Sequence, residues 1–463
     1  MSRLPLTSVN RCVGRFVRSA HRPFFGSCFA AALALTLAQG EALAQAPVGQ
    51  IQAAIASEGG SDREVRTFYR SQGNRPIWTR SGTIGGEAET LLSLLESARL
   101  DGLDPDDYKP RAIASAMRKA EDGSPKALAK AELLLSRGLG AYVRDLRQLP
   151  RNAKMLYVDK ELAPSAPSVS AALQAAATAP SLNQYLQNIG WMHPVYGQLR
   201  KGLANSDGLS ENLKHVLMIN LDRARALPAA SRRHVLVDAA GARLYMYDNG
   251  RVVDSMRVVV GKPSEPTPMM AGLIRYASVN PYWNIPPDLV QKRVAAEVLN
   301  KGPSYLTTKR YELLSDWSEK PTILKPSSVD WKAVANGSRQ LRVRQLPGAN
   351  NAMGRMKFMF PNELGIYLHD TPEKGLLDEE VRNFSSGCVR LEDAARLGKW
   401  LFGKPLVIKS KKPDQRVDLP KPVPVFITYL TAAPEGTGIA YHNDVYNLDH
   451  AQLSSGRSKQ AAR

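Results

Sequence analysis

The chain is poor in cysteine, with three in 463 residues, and has only seven histidines. His193, His215, His234, His442 and His450 nowhere fall at zinc-ligand spacing with a cysteine, so no metal framework organises the fold. No glycine-rich phosphate loop is present, which removes the common nucleotide-binding reading. Acidic residues are the scarcer charge, 43 Asp and Glu against 62 Lys and Arg, and the formal net charge is +19. That balance suits an anionic surrounding, either nucleic acid, acidic headgroups or a carboxylate-rich polymer, although a merely solubilising basic surface has the same composition. Zinc-finger spacing, a stacked-aromatic strand signature and a long basic helix are all missing, so nothing selects nucleic acid. Beyond the N-terminus no apolar run approaches the roughly 20 residues that a membrane-spanning helix needs. The length allows two or three domains.

What is present begins with an export signal. Arg3, Arg11, Arg15, Arg18 and Arg22 form a positive leader, Phe24 to Leu37 is an uncharged and mostly apolar run, and Ala42-Leu43-Ala44 supplies the small residues of a cleavage site. This pattern predicts a secretory signal peptide over 1–44 and a periplasmic location, with an uncleaved inner-membrane anchor as the alternative. Removing it takes five arginines and one glutamate and leaves a charge of about +15. Cys12 and Cys28 go with it. The exported protein keeps one thiol, Cys388, which has no internal disulfide partner in an oxidising compartment. Count alone leaves an inert, buried cysteine and a reactive one equally open.

Residues 50–148 show helical spacing of leucines. Asp101 to Tyr108 reads as a loop in which Asp104 caps a following helix. The Ala-, Ser- and Pro-rich stretch from Pro164 to Pro180 reads as a flexible connection, followed by helices near 182–203 and 210–226. The period then changes to that of strands, at Val235–Asp238, Leu244–Tyr247 and Val252–Val260, with a hairpin turn at Asp248-Asn249-Gly250. Another strand is expected at Ile274–Val279. Residues 283–350 are mixed in character, as in a lid or binding insertion. Strands resume at Phe358–Phe360 and Ile366–His369. A helix from about Glu392 to Leu401, closing strands at Leu406–Ile408 and Val425–Tyr429, and a disordered basic tail over 452–463 complete the reading.

The chemistry concentrates between Gly365 and Asp393. His369 ends a strand, and Cys388 sits on a Ser-Ser-Gly turn. Thiol catalysis needs a thiolate, a base and donors for the oxyanion. A helix beginning just after Cys388 favours thiolate through its dipole. His369 is placed to take the proton, and Gly387 lets backbone amides approach the reacting carbon. Singly, each residue has an ordinary structural reading. Their nearness to one another, in an exported chain with one thiol, brings acyl transfer level with that reading.

At these residues the sequence resembles the L,D-transpeptidases, whose catalytic unit is the YkuD domain. The family pattern is a histidine, a spacer, then Ser/Thr-x-Gly-Cys, an apolar residue and Arg or Asn. It reads here as His369 followed by Ser385-Ser386-Gly387-Cys388-Val389-Arg390. Many members carry a second histidine where this chain has Ser386, so only a backbone role carries over there. Asn280-Pro-Tyr-Trp-Asn-Ile-Pro-Pro287, Arg344-Gln-Leu-Pro-Gly348, Lys357-Phe358 and His369-Asp-Thr-Pro372 are similar to the large Gram-negative branch. So are Phe68-Tyr69, Gly102-Leu-Asp-Pro105 and Asn220-Leu-Asp-Arg223 in its scaffold domain. The small peptidoglycan-binding module usual in that branch has no counterpart between Pro150 and Pro228.

The resemblance implies an α+β architecture. A mostly helical scaffold domain (45–230) would precede a β-rich catalytic domain (231–412) with a capping insertion (283–350), then a C-terminal extension (413–451) with a closing strand. It implies a peptidoglycan L,D-transpeptidase. Cys388 would attack the third-residue carbonyl of a tetrapeptide stem and expel D-alanine. An amine on a second stem would resolve the thioester as a third-to-third cross-link. Metal and cofactor are not required, and carbapenem β-lactams would acylate the thiol. The Asp370 carbonyl would orient His369, the backbone of Gly387 and Ser386 would serve the oxyanion, and Arg390 would face a substrate carboxylate, with Tyr367 and Trp283 as walls. Three alternatives stay open: a cysteine peptidase on the same polymer, attachment of an outer-membrane protein to peptidoglycan, and a non-catalytic wall-binding protein. The oligomeric state is not legible.

Overall fold

A computed structural model of the chain describes residues 48–58, 62–150, 154–229, 232–406 and 412–451. The expected signal peptide and basic tail lie outside these residues, as do Val407 and Ile408. Among the described residues no helix is long and apolar enough to cross a membrane.

The N-terminal region is helical because its apolar residues recur at helical spacing and its turns carry capping groups. The longest helix, Pro125–Leu146, starts on a proline whose ring is preset for a first turn. Leu128, Leu135, Leu139, Tyr142 and Leu146 form its buried stripe. Gly140 lets the next helix close on it, since a Cβ there would meet Val169 Cγ1 at 2.3 Å. Glu132, on the same helix, is buried and accepts hydrogen bonds from Tyr69 Oη (2.8 Å), Trp78 N (3.0 Å) and Thr79 Oγ1 (2.8 Å), which ties a distant turn to the bundle. Asp104 caps only a short 3₁₀ turn, Pro105–Tyr108.

Two expectations fail here. The stretch from Pro164 to Pro180 is not a flexible connection. Ser168 caps a helix over Val169–Ala177, whose Val169, Leu173 and Ala176 are buried. Its alanines favour helix more than its flanking prolines oppose it. The helix expected over 182–203 is two helices, Leu182–Gln187 and Pro194–Ala204. They are separated at Ile189, which has φ 49°.

The strand region forms one ten-stranded sheet. Its path runs from Met356–Met359 through Leu368–His369, Val389–Leu391, Arg251–Gly261, Arg243–Asp248, His234–Asp238 and Gln415–Thr428 to Met270–Val279. Met270–Val279 also pairs with Met356–Met359, so the sheet closes on itself. The Asn249-Gly250 turn has φ of 48° and 74°, the left-handed pair that a tight hairpin demands. Leu244, Met246, Val258, Phe358, Leu368 and Val389 fill the interior. Between Val279 and Met356 the chain leaves to build a separate layer, a four-stranded sheet with its own core of Ile285, Val290, Val294, Leu313 and Val343. Buried Asn351 fastens the two ends of this insertion, donating to Pro281 O (3.2 Å) and Leu346 O (3.0 Å).

Scaffold and sheet are packed together. Leu156–Tyr157 adds a parallel strand beside Met270–Ala271, and the helical core continues onto Leu236, Tyr247, Ala271 and Phe426. Arg223 pairs with Asp449 at 2.6 Å. At the centre of this contact His193 and His234 are buried with Nε2 atoms 3.1 Å apart. The Val195 amide donates to His193 Nδ1 (3.2 Å), and His234 Nδ1 can only donate to the Arg232 carbonyl (2.6 Å). His193 Nε2–H must then donate to His234 Nε2. Both rings are neutral, and a further proton has nowhere to go. Burial lowers the pKa of both, that of His234 to about 4. In the unfolded chain both would titrate near 6.5, so the stability they support is complete above pH 6.5 and is lost as pH falls towards 4. The melting temperature is therefore expected to drop between pH 6.5 and 5, where ordinary carboxylates are still ionised. A flat calorimetric profile over that interval would refute this.

Candidate active site

Two short parallel strands position the site. Leu368 pairs in parallel with Val389, and His369 with Arg390. The Val389 amide donates to the Tyr367 carbonyl at 3.2 Å, which extends the register back to Tyr367 and Cys388. Alternate side chains point to opposite faces of a strand. Leu368 and Val389 enter the barrel core, so Tyr367, His369, Cys388 and Arg390 share the other face. His369 and Cys388 are diagonal neighbours on it, and the Tyr367 ring lies edge-on to His369 at 5.8 Å.

His369 is 2% exposed. Its Nδ1 lies 2.6 Å from the Asp370 carbonyl, which can only accept. Nδ1 therefore carries the proton, and Nε2 keeps a lone pair for the thiol. Asp370 is itself held: its carboxylate accepts from the Arg355 amide (2.9 Å) and from Lys374 Nζ (2.8 Å). Gly354 makes room for it, since a Cβ there would meet Asp370 at 2.4 Å. Burial, reinforced by the Arg390 charge, lowers the His369 pKa to about 3.

Cys388 is half-buried, and its Sγ donates to the Gly365 carbonyl at 3.5 Å. Close packing by protein, which desolvates the charged form, pushes its pKa up to about 11 against the lowering effects of the Tyr367 amide and Arg390. The expected helix dipole is not available to offset this. Strand Val389–Leu391 follows Cys388, and the helix, Ala394–Phe402, begins only after the Asp393 cap. The resting pair is a thiol and a neutral imidazole.

The turn before the nucleophile also departs from expectation. Gly387 has φ 105°, which explains the glycine. Its amide, however, donates to Ser385 Oγ at 3.2 Å and is not free for an oxyanion. The Ser385 hydroxyl in turn donates to the Cys388 carbonyl at 2.6 Å. Among the described residues nothing accepts the Cys388 amide, which remains the available backbone donor. The Ser386 side chain is exposed and helps to hold the Glu265 carboxyl below the usual range. From below, Thr267 Oγ1 donates to the Gly387 carbonyl and accepts the Gly261 amide, both at 2.8 Å. Tyr446 Oη anchors the Gly261 carbonyl at 2.6 Å.

Thr267 and Tyr446 were not singled out from the sequence, and Ser385 was named only as a motif position without a role. Only the Ser-x-Gly spacing gave a local cue for Ser385; Thr267 and Tyr446 are distant in the chain. Ser385→Ala orphans the buried Gly387 amide, a loss of about 1–3 kcal/mol. Thermal denaturation should register this, together with slower acylation of Cys388. An unchanged melting temperature would show that the hydroxyl does not brace the turn.

Arg390 pairs with Glu373. Both line a cleft of about 470 Å³ that runs under the insertion to Trp283, which lies edge-on to Tyr311 at 6.4 Å. The structure thus gathers Cys388, His369, Asp370, Gly387, Tyr367 and Arg390 at one place and sets Trp283 farther along this cleft. Cys388 and His369 do not line it. Among the described residues no His, Cys, Asp and Glu group is placed to hold a metal ion.

A thiol beside a neutral, oriented imidazole and a free amide is an arrangement for nucleophilic attack on an acyl carbon through a thioester. The comparisons agree with that class. Residues 232–419 match the L,D-transpeptidase catalytic domain, and residues 63–203 match the Scaffold domain. Residues 232–419 thus carry a YkuD-type L,D-transpeptidase catalytic domain, and a helical scaffold domain precedes it. A putative L,D-transpeptidase of Haemophilus influenzae is 30% identical over 277 residues, covering 58% of this chain and 55% of that protein. The chain thus spans about half the length of the curated relative it matches. An L,D-transpeptidase from Mycobacterium smegmatis (15% identity, 42% of this chain and 58% of that one) has a TM-score of 0.22. Another L,D-transpeptidase, in complex with imipenem (15% identity, 42% and 57%), has a TM-score of 0.20. Likenesses this slight carry no argument.

Proposed function

We propose that this protein is an exported, periplasmic peptidoglycan L,D-transpeptidase. The observation that supports this most directly is that adjacent strands place Cys388 diagonally across from an imidazole whose Nδ1 is committed to the Asp370 carbonyl. Cys388 Sγ attacks the carbonyl of the third stem residue while His369 Nε2 takes the thiol proton. The Cys388 amide receives the oxyanion. His369 returns the proton to the departing D-alanine amine, which leaves a thioester. An amine of a second stem then attacks, His369 accepts its proton, and the thiol is regenerated with a third-to-third cross-link. Each step moves a proton between groups already in place, so no metal or cofactor is invoked. A carbapenem ring would acylate the same sulfur. The basic surface suits an acidic polymer.

The test uses purified protein, a tetrapeptide donor and a labelled amine acceptor. Stoichiometric release of D-alanine with incorporation of the acceptor is expected. Release without incorporation would indicate a peptidase, and loss of protein-linked wall fragments in a deletion strain would indicate protein attachment. No release at all would end the enzymatic reading.

A further inference from the structure

The cleft under the insertion is strongly unbalanced in charge. Its lining carries four cations, Arg293, Lys309, Arg310 and Arg390, and one acid, Glu373. Glu373 is already paired with Arg390. Among the described residues no carboxylate forms an ion pair with Arg293, Lys309 or Arg310. Concave walls of low polarisability concentrate the field of such a group and select an anion.

The backbone is shaped around two of these guanidinium groups. Pro287–Leu289, Val290–Ala295 and Ala296–Lys301 follow one another as a continuous helix whose middle segment is π-helical. A π-turn is rare and re-aims the side chains it carries; here it carries Arg293. Arg310 ends the helix Ser304–Lys309 at φ 56°, an unusual backbone for a non-glycine residue. Its guanidinium lies against Gly348, where a Cβ would come within 2.2 Å of Nη1. Arg293 also faces the catalytic loop. With Ser386 as the chief cause and Lys262 beside it, its charge helps to hold the Glu265 carboxyl below the usual range. The cleft itself reaches from the insertion to Arg390, two residues beyond the nucleophile.

We propose that this cleft is a carboxylate-binding subsite in which Arg293 and Arg310 grip the free carboxylates of a stem peptide and so select acidic stems over amidated ones. The proposal rests on the transpeptidase reading, which supplies two such peptides, a donor and an acceptor. A planar guanidinium matches a carboxylate with two parallel hydrogen bonds, and that match is lost when the ligand is amidated.

The experiment uses the full chain, its Arg293→Gln and Arg310→Gln variants and the double variant. Tetrapeptide donor and labelled stem acceptor are each prepared with free and with amidated carboxylates. Acyl-enzyme formation reports the donor arm, and label incorporation reports the acceptor arm. The wild type is expected to prefer the free acid of one partner by at least tenfold in kcat/KM. The double variant should lose that factor and the preference together, with unchanged melting temperature and Cys388 alkylation rate. The arm affected identifies the stem that is held. A wild type indifferent to amidation in both arms, or a double variant that keeps the preference, overturns the proposal. A wild type that forms no acyl-enzyme with either donor overturns the transpeptidase reading itself, and the subsite with it.

Discussion

Cys388→Ser is expected to abolish D-alanine release and acyl-enzyme formation, by about 10⁴- to 10⁶-fold, while leaving the fold intact. The sulfur is half-buried and weakly held, by a long hydrogen bond to the Gly365 carbonyl at 3.5 Å and by the Tyr367 amide, contacts that a serine hydroxyl can replace. Stability should therefore change by less than about 1.5 kcal/mol. Chemistry is another matter. A hydroxyl is a far weaker acid than even this raised thiol, and an imidazole whose pKa is lowered to about 3 is a weak base. His369 can assist a polarisable sulfur during attack but cannot generate an alkoxide. Intact-mass analysis with the tetrapeptide donor, followed by peptide mapping, checks this. An adduct surviving in the serine variant would place the nucleophile elsewhere.

The parts of the site carried by neighbouring residues were legible in the sequence. Asn249-Gly250 demanded a hairpin because only left-handed backbone fits a two-residue loop. Gly387 before Cys388 implied a sharp turn for the same reason. What failed was decided by contacts far along the chain. Val389-Arg390-Leu391 looked like the lead-in to a helix. It is a strand, because it is caught between Leu368–His369 on one side and Val258–Val259 on the other. No local propensity of three residues encodes that. The consequence is chemical as well as geometric, because moving the helix start to Ala394 takes away the dipole that was to acidify the thiol.

Thr267 shows the same limit from the other direction. It is an unremarkable threonine after a proline, and its importance comes from joining Gly261 to Gly387, which lies 120 residues beyond it. The closed sheet is also invisible locally, since it depends on Met270–Val279 pairing with Met356–Met359 beyond the whole insertion. The alanine-rich helix Val169–Ala177 was hidden by composition. Ala, Ser and Pro mark linkers on average, but here Ser168 caps the helix and Val169 fills the space left by Gly140.

Because the helix dipole is absent, Cys388 is expected to react slowly with a simple alkylating agent at neutral pH. A thiol with pKa about 11 holds roughly one part in 10⁴ as thiolate at pH 7, against about 3% for a free cysteine of pKa 8.5. The more basic thiolate is intrinsically more nucleophilic, which recovers about a tenfold factor. Iodoacetamide should therefore label Cys388 roughly 30-fold more slowly than a free cysteine. Labelling should rise steadily towards high pH, without a plateau near pH 5. Acylation by donor should behave differently. His369 stays neutral above about pH 3 and Cys388 stays protonated below about pH 11, so neither changes state between pH 5 and 9. Acylation should be nearly flat there and slower in deuterated water, since the proton moves from Sγ to Nε2 during attack. His369→Gln removes the acceptor and should slow acylation by about 10²- to 10⁴-fold, but leave alkylation at high pH nearly unchanged. Rapid labelling at pH 6, lost in the glutamine variant, would mean that the resting site holds a preformed thiolate–imidazolium pair.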